Sequence, residues 1–239
     1  MGIDIGTLQF IATAYEAGVI RGDFLQLGRQ YFYLNRGNPN NEIFQRYFPT
    51  QSLNDLSEKQ DYADKFFLNI GASTVRSLDA SDHEEADIIH DLNTPVPESL
   101  YGSFDCIFDG GTFEHVFNLP TMIDSVSKML RVGGSLMSVN GANDWLGHGF
   151  YQFSPEWAFR VFSPENGFEV THAYLGTRSG ILTPVDDPAR IGYRLETKST
   201  NGSAYLMFIA KKIRDVEMFK TWPQQSDYSS AWVKNKLEG

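Results

Sequence analysis

Short apolar stretches separated by polar turns recur along most of the chain. Each is five to eight residues long, which suits a buried strand, and most are followed by glycine, aspartate or asparagine. Strands are therefore predicted at 23–27, 74–78, 86–90, 103–108, 135–139, 168–175 and 204–211.

Between these stretches, apolar positions recur at a spacing of three and four residues, which is typical of amphipathic helices. Gly18 follows the first such pattern, and Gly133-Gly134 follows a later one as its expected terminator. Ser154-Pro155 is expected to open another helix, because serine caps helices and proline suits their first turn. Helices are therefore predicted at 8–15, 42–47, 57–65, 122–130 and 155–162.

Strands that alternate with helices in this way predict an α/β fold with an open, mostly parallel sheet, as in Rossmann-like proteins. Ligands of such sheets bind outside the carboxyl ends of the strands. We therefore expect the residues that follow the strands to line one edge. These residues are Gly28, Asp79, Asp91, Asp109 and Asn140.

The strand series runs without a linker, which predicts a single domain over residues 1–239. Within it we expect an N-terminal helical cap (1–22), a core (23–212) and a C-terminal tail (213–239). Aromatic residues of the tail can dock on the body of the protein or on a second copy in a homodimer, and docking on the body is favoured.

Composition excludes several classes of partner. The 239 residues include 20 Lys plus Arg and 30 Asp plus Glu, a net charge of −10, which disfavours nucleic acids and anionic membranes. Cys106 is the only cysteine, so an internal disulfide or a multi-thiolate metal site is excluded. The sequence has no secretory signal pattern and no bilayer-length apolar run, so we expect a cytoplasmic protein.

Asp79 and Asp91 are the first candidates for chemistry. Each follows a predicted strand, where Asp79 could accept hydrogen bonds from both hydroxyls of a ribose, and Asp91 from the amino group of an adenine. Either residue could instead only stabilise a local turn.

Four segments together resemble the class I S-adenosylmethionine-dependent methyltransferases. They are VRSLDAS, ADIIHDLN, SFDCIFDGGTFEHV and MLRVGGSL, and the likeness covers roughly residues 74–175. The resemblance implies a seven-stranded sheet with helices on both faces and a reversed last strand. It also implies S-adenosylmethionine as cofactor, and methyl transfer to oxygen or nitrogen of a small-molecule acceptor.

The resemblance assigns cofactor-binding roles to individual residues. Asp79 would bind the ribose hydroxyls, and Asp91 with Leu92 would flank the adenine. The methionine portion would lie beside the turn after the strand at 103–108, and the segment that follows would reach the rim of the active site. These positions are Asp109, Gly110 and Gly111 for the turn and Glu114, His115 and Val116 for the rim.

The first strand departs from the family pattern. Several closely spaced glycines normally let the backbone approach the cofactor there, whereas this chain has Gly28 alone, followed by Arg29 and Gln30. Arg29 could pair with the carboxylate of the cofactor. Alternatively, Arg29 and Gln30 could block the cleft in a relative that has lost the cofactor.

The segment from Trp145 to Phe153 is rich in aromatic residues and should cross the mouth of the cleft. His148 lies between two glycines and is the first candidate for a general base, with His115 as its competitor. Trp145, Tyr151 and Phe153 are candidate walls of the acceptor pocket, although Phe150 and Phe153 could simply pack against the next helix.

No metal site is predicted, since the spacing in His83-Glu84-Glu85 and His90-Asp91 fits no metal-binding motif. The sequence therefore predicts a methyltransferase. A non-catalytic methyltransferase-like binding module is the alternative, while a nicotinamide oxidoreductase would need more glycines after the first strand.

Overall fold

The computed structural model describes residues 2–32, 44–50, 62–191 and 202–237. Two predicted helices lie partly outside these ranges: residues 42–43 of the helix predicted at 42–47, and residues 57–61 of the helix predicted at 57–65. Its strands are β1 (Gly2–Ile3), β2 (Gly22–Leu27), β3 (Tyr31–Phe32), β4 (Ala72–Asp79), β5 (Ile88–Ile89), β6 (Phe104–Asp109), β7 (Leu130–Asn143), β8 (Phe168–Thr177), β9 (Leu182–Pro184) and β10 (Ala204–Lys212). Its helices are α1 (Ile5–Glu16), α2 (Asp64–Asn69), α3 (Leu119–Met129), α4 (Pro155–Val161), α5 (Pro188–Ile191) and α6 (Ser226–Leu237), with a further helical turn at 44–47.

Eight strands form the main sheet, in the order β5-β4-β2-β6-β7-β10-β8-β9. The pairs from β5 to β7 are parallel, and β10 runs antiparallel to both of its neighbours. The predicted Rossmann-like α/β fold and its reversed last strand are thus confirmed. The predicted number of seven strands is wrong, because β9 adds an antiparallel edge strand beside β8. β9 has three residues and ends in proline, so no apolar alternation marks it in the sequence.

Helices cover both faces of the sheet, as predicted. On one face α1 and α2 pack with Phe24 and Phe108, and on the other α3 and α4 pack with Leu25 and Ile107. Neighbouring residues of β2 and β6 point to opposite faces, and both faces are buried, which explains why consecutive residues of these strands are apolar. Among the described residues, no helix is both long and apolar enough to cross a membrane.

Gly133 and Gly134 do not end a helix. α3 ends at Met129 and β7 begins directly at Leu130, while the glycines lie inside the strand. Their segment forms a bulge, because Phe104 and Cys106 of β6 pair with Leu130 and Ser135 of β7. Gly133 has a φ of +89°, a conformation that glycine adopts without strain.

The C-terminal tail contains a helix that was not predicted. Ser226, the first residue of α6, donates two hydrogen bonds to the carboxylate of Glu156 in α4, at 2.7 Å from its backbone nitrogen and 2.8 Å from its hydroxyl. Phe219 packs against the core on the α3 and α4 side. The tail therefore docks on the body of its own chain, as favoured, while the homodimer stays a prediction.

Candidate active site

The carboxyl ends of β2, β4, β5 and β6 border a cavity of about 280 Å³, here called the strand-end cavity. Seven of the predicted site residues contribute to its lining, whereas Asp109, Gly110, His148 and the aromatic candidates do not. The seven are Gly28, Arg29, Asp79, Asp91, Leu92, Gly111 and His115.

Gly28 lets the backbone pass close to the floor of this cavity. Its φ is +68°, and a Cβ atom there would lie 3.2 Å from Oγ1 of Thr112 and 3.8 Å from Oδ2 of Asp79. Oγ1 of Thr112 also donates a hydrogen bond of 2.7 Å to the Leu27 carbonyl. A side chain at position 28 would therefore be strained and would fill space beside Asp79.

Gln30 was predicted, with Arg29, as a residue that could block the cleft, and it lines the strand-end cavity. Its side chain is buried and donates hydrogen bonds to the carbonyls of Leu27, at 3.1 Å, and Gly28, at 3.0 Å. Its Oε1 atom is buried and accepts no hydrogen bond. Oε1 of Gln30 lies so close to Gly110 that any side chain at position 110 would overlap with the Gln30 amide. Gln30 therefore separates Gly110 from the cavity.

Arg29 lines the wall of the cavity and is held by groups of the protein itself. Its Nε lies 3.2 Å from Oδ2 of Asp64, its Nη1 donates to the Glu84 carbonyl at 3.3 Å, and the guanidinium lies 4.2 Å from the centre of the Tyr62 ring. The charge is thus compensated within the chain, and the predicted pairing with a cofactor carboxylate stays a prediction.

Asp79 and Asp91 both stabilise turns and both line the cavity. Oδ1 of Asp79 accepts a hydrogen bond of 3.1 Å from the Ser81 nitrogen. Oδ1 of Asp91 accepts from the backbone and side-chain nitrogens of Asn93, at 2.9 and 2.8 Å, and these bonds lower the pKa of Asp91. The turn alternative therefore holds for both residues with one carboxylate oxygen each, and their contacts to a cofactor stay predictions.

Asp109 does not line the cavity, although it was predicted beside the methionine portion of the cofactor. Its side chain is fully buried, and Oδ1 accepts from the nitrogens of Thr112 and Phe113, at 2.8 and 3.2 Å. Oδ2 accepts from Ser138 and Asn140 of β7. Burial nevertheless raises the pKa of Asp109 to about 6. With both oxygens engaged, this carboxylate fixes the turn after β6 to β7.

Glu114 is the second buried carboxylate at this turn. His115 and His148, the two histidines predicted as candidate general bases, both lie next to its carboxylate. Its side chain is 1% exposed, and Oε2 accepts a hydrogen bond of 2.6 Å from the Gly141 nitrogen. Oε1 lies 3.0 Å from Nε2 of His148 and 3.9 Å from Nε2 of His115, and the two imidazole rings are 4.8 Å apart. Burial raises the pKa of Glu114 to about 7 and lowers that of His115. The resemblance had placed Glu114 only at the rim.

The loop that carries His148 is fixed directly to the backbone of Glu114. The Phe150 nitrogen donates a hydrogen bond of 2.6 Å to the Glu114 carbonyl. Gly149 has a φ of +69°, and a Cβ atom there would lie 2.6 Å from the same oxygen. The Trp145 ring packs on His148 with 5.3 Å between ring centres, and its Nε1 donates to the Ala204 carbonyl. These contacts bring together histidines that are far apart in the sequence.

The remaining aromatic candidates divide into buried and exposed residues. Phe153 is buried against Trp157 of α4, so its predicted place in the acceptor wall is wrong and its packing alternative holds. Phe150 is 65% exposed and contacts Phe117, so packing against α4 does not explain it. The Tyr151 hydroxyl donates to the Phe117 carbonyl at 2.9 Å. Phe117, Phe150 and Tyr151 together form an aromatic rim.

No family model and no curated protein matches this sequence. Solved structures match at low identity. A Burkholderia thailandensis 1,6-didemethyltoxoflavin-N1-methyltransferase, solved with S-adenosylhomocysteine, is 13% identical over 87% of this chain and 80% of its own, with a TM-score of 0.48. A Thermus thermophilus branched-chain polyamine synthase, solved with 5'-methylthioadenosine, is 16% identical over 94% of this chain, which covers only 62% of the synthase, with a TM-score of 0.47. At these scores, function is inferred below from the site alone.

Proposed function

We propose that this protein is a methyltransferase that uses S-adenosylmethionine and acts on oxygen or nitrogen of a small-molecule acceptor. The strand-end cavity carries this proposal. Asp79 and Asp91 line it at neighbouring strand ends, and His115 lines it next to the buried Glu114. Groups that bind a nucleoside and groups that handle protons thus lie at one sheet edge.

The residues of the cavity fit the nucleoside part of the cofactor. The Asp79 carboxylate suits the two ribose hydroxyls, and Asp91 with Leu92 suits the adenine. One oxygen of each aspartate is engaged in a turn, and the other accepts no hydrogen bond from the described residues. Gly28 provides the close approach of backbone that a bound ligand needs.

The buried oxygen of Gln30 supports binding of the amino-acid part. Oε1 of Gln30 lacks a hydrogen-bond donor, and a buried acceptor without a partner is costly. The ammonium group of the cofactor is a donor of the required kind, and the Gln30 amide would turn toward the cavity to accept from it, because Oε1 now lies against Gly110. Arg29, which also lines the cavity, would attract the carboxylate of the cofactor.

The cofactor, when bound, supplies a methyl group on a positively charged sulfur. The tasks left to the protein are to position the acceptor, exclude water and handle the proton of the attacking atom. His115 and His148 are the groups proposed to contact that atom, because their Nε2 atoms face the same oxygen of Glu114. Trp145 and Tyr151 are proposed as walls for the acceptor.

A non-catalytic binding module is the second candidate. Its support is that the Gln30 amide already occupies the carbonyls of Leu27 and Gly28, in the loop where the family normally has glycines. If the amide cannot give way, the amino-acid part of the cofactor has no room.

Calorimetric titration with S-adenosylhomocysteine separates the two candidates. We expect saturable binding to the wild type and binding weaker by about 1–3 kcal/mol in Asp79→Ala, which loses charge-assisted hydrogen bonds. Asp82→Ala is the matched control, because Asp82 is an exposed neighbour outside the cavity lining. An absence of binding at high micromolar ligand would exclude the enzyme, and equal affinity of the two variants would make Asp79 purely structural.

A further inference from the structure

Three potential metal ligands converge beside the strand-end cavity. Glu114, His115 and His148 each offer one ligand atom, a carboxylate oxygen or a ring nitrogen, and these atoms all lie within 4.8 Å of one another. They form the only such group of histidine, cysteine or acidic side chains in the part of the chain that the structure describes. We propose that Glu114, His115 and His148 bind a divalent transition-metal ion.

The state of the Glu114 carboxylate supports a bound cation. Its Oε2 atom is held by the Gly141 nitrogen, but Oε1 is buried and accepts no hydrogen bond. Nε2 of His148 is also buried without a hydrogen bond, because the two atoms are 3.0 Å apart but not aligned for one. Burying a carboxylate with an unsatisfied oxygen costs free energy, and a cation in contact with it would offset that cost.

The distances are compatible with one ion. Ligands at about 2.1 Å from a tetrahedral ion are about 3.4 Å from one another. The two nitrogens lie 3.0 and 3.9 Å from Oε1 of Glu114, on either side of this value. The His115 side chain is 48% exposed, so its ring can turn toward an ion with little repacking.

The surrounding structure holds the ligands in place. The Gly141 nitrogen orients Glu114 from β7, and the backbone of the His148 loop is bonded to the Glu114 carbonyl. Outer partners of this kind orient metal ligands in known sites. The sequence analysis found no metal motif because His115 and His148 are distant in sequence and meet only through the docking of this loop.

The donor set indicates the type of ion and its use. Two imidazoles and one carboxylate suit zinc and other late first-row metals, and three protein ligands leave a coordination position open for a small molecule. His115 also lines the strand-end cavity, so that position borders the site proposed for the cofactor. If the proposed function holds, an oxygen of the acceptor would bind there, and the ion would make its proton more acidic in place of the histidine bases, which favours hydroxyl-bearing acceptors.

Metal titration of the full chain tests the site without measuring activity. The protein, freed of any affinity tag and of metal, is titrated with Zn²⁺ by calorimetry and with Co²⁺ by visible absorption. We expect one ion per chain, and affinity at least tenfold weaker in Glu114→Gln, His115→Asn and His148→Asn. His83→Asn is the matched control, because His83 is exposed and distant in sequence from the three ligands.

Two results would overturn the proposal. One is no saturable binding of either ion to the wild type, and the other is unchanged affinity in variants whose circular dichroism shows that they are folded. S-adenosylhomocysteine titration of the same samples keeps the proposals separate. Metal binding without nucleoside binding would contradict only the proposed methyltransferase function. Nucleoside binding without metal binding would contradict only the proposed metal site.

Discussion

The acidic residues at the carboxyl edge of the sheet divide into a solvent-accessible pair, the half-buried Asp79 and the exposed Asp91, and a buried pair. Asp79 and Asp91 follow β4 and β5, face the cavity, and use one oxygen for a local turn. Asp109 and Glu114 belong to the turn after β6 and are buried. An exposed carboxylate can accept a ligand at small cost, whereas a buried one must be compensated by the protein or by something that it binds.

The two buried carboxylates are compensated to different degrees. Asp109 accepts hydrogen bonds on both oxygens, from four donors in all. Glu114 accepts on Oε2 alone, and its other oxygen faces two imidazoles. Asp109 therefore acts as part of the scaffold, and Glu114 is available for chemistry. The predictions below test this division.

The largest expected effect is on stability at Asp109. Asp109→Ala would leave four buried donors without an acceptor, so we expect the free energy of unfolding to fall by about 3–5 kcal/mol. Urea unfolding followed by circular dichroism measures it. Asp91→Ala removes only the hydrogen bonds of an exposed turn, so its free energy of unfolding should fall far less. Equal losses in the two variants would remove the distinction between the pairs.

The second effect is a pH dependence of stability. The pKa of Asp109 is about 6 in the folded protein, against about 3.9 for an unfolded chain. The folded state binds the Asp109 proton more tightly than the unfolded state does, so protonation of Asp109 raises the free energy of unfolding. This contribution is fully present below about pH 4 and is lost as the pH rises through 6. Asp109→Asn cannot titrate, and the wild type should lose about 2 kcal/mol relative to it between pH 4 and 7. A constant difference over this range would show that the pKa is not raised.

A smaller effect is expected where the His148 loop meets Glu114. Gly149→Ala would place a Cβ atom against the Glu114 carbonyl at a positive φ, which should cost about 1–3 kcal/mol and displace His148. Thermal unfolding and Zn²⁺ titration both report on this change. Gly147→Ala is the control, since a Cβ atom there meets nothing within 4 Å. If both variants behave like the wild type, the loop does not position His148.

The sequence predicted the sheet well because its central strands are buried on both faces. Such strands have consecutive apolar residues, as at 24–25 in β2 and 106–108 in β6, so both are visible without knowledge of their neighbours. β9 and α6 were missed, since their residues lack a strong periodic pattern. The glycines at 133 and 134 were misinterpreted because a helix terminator and a bulge use the same residue type.

The site was predicted in part, for a related reason. Residues that directly follow strands, such as Asp79 and Asp91, were found because the chain itself brings them to the sheet edge. Glu114, in contrast, depends on long-range packing. Glu114 becomes a candidate only when Gly141 and His148 surround it, and no local spacing encodes that contact.

The most direct test of the central claim is a crystal structure of the protein with S-adenosylhomocysteine. The account predicts density in the strand-end cavity, with the ribose at Asp79 and the adenine beside Asp91 and Leu92. It also predicts an amino group within hydrogen-bond distance of Oε1 of Gln30. Density at another surface, or an empty cavity with the Gln30 amide still bonded to Leu27 and Gly28 at saturating ligand, would contradict it.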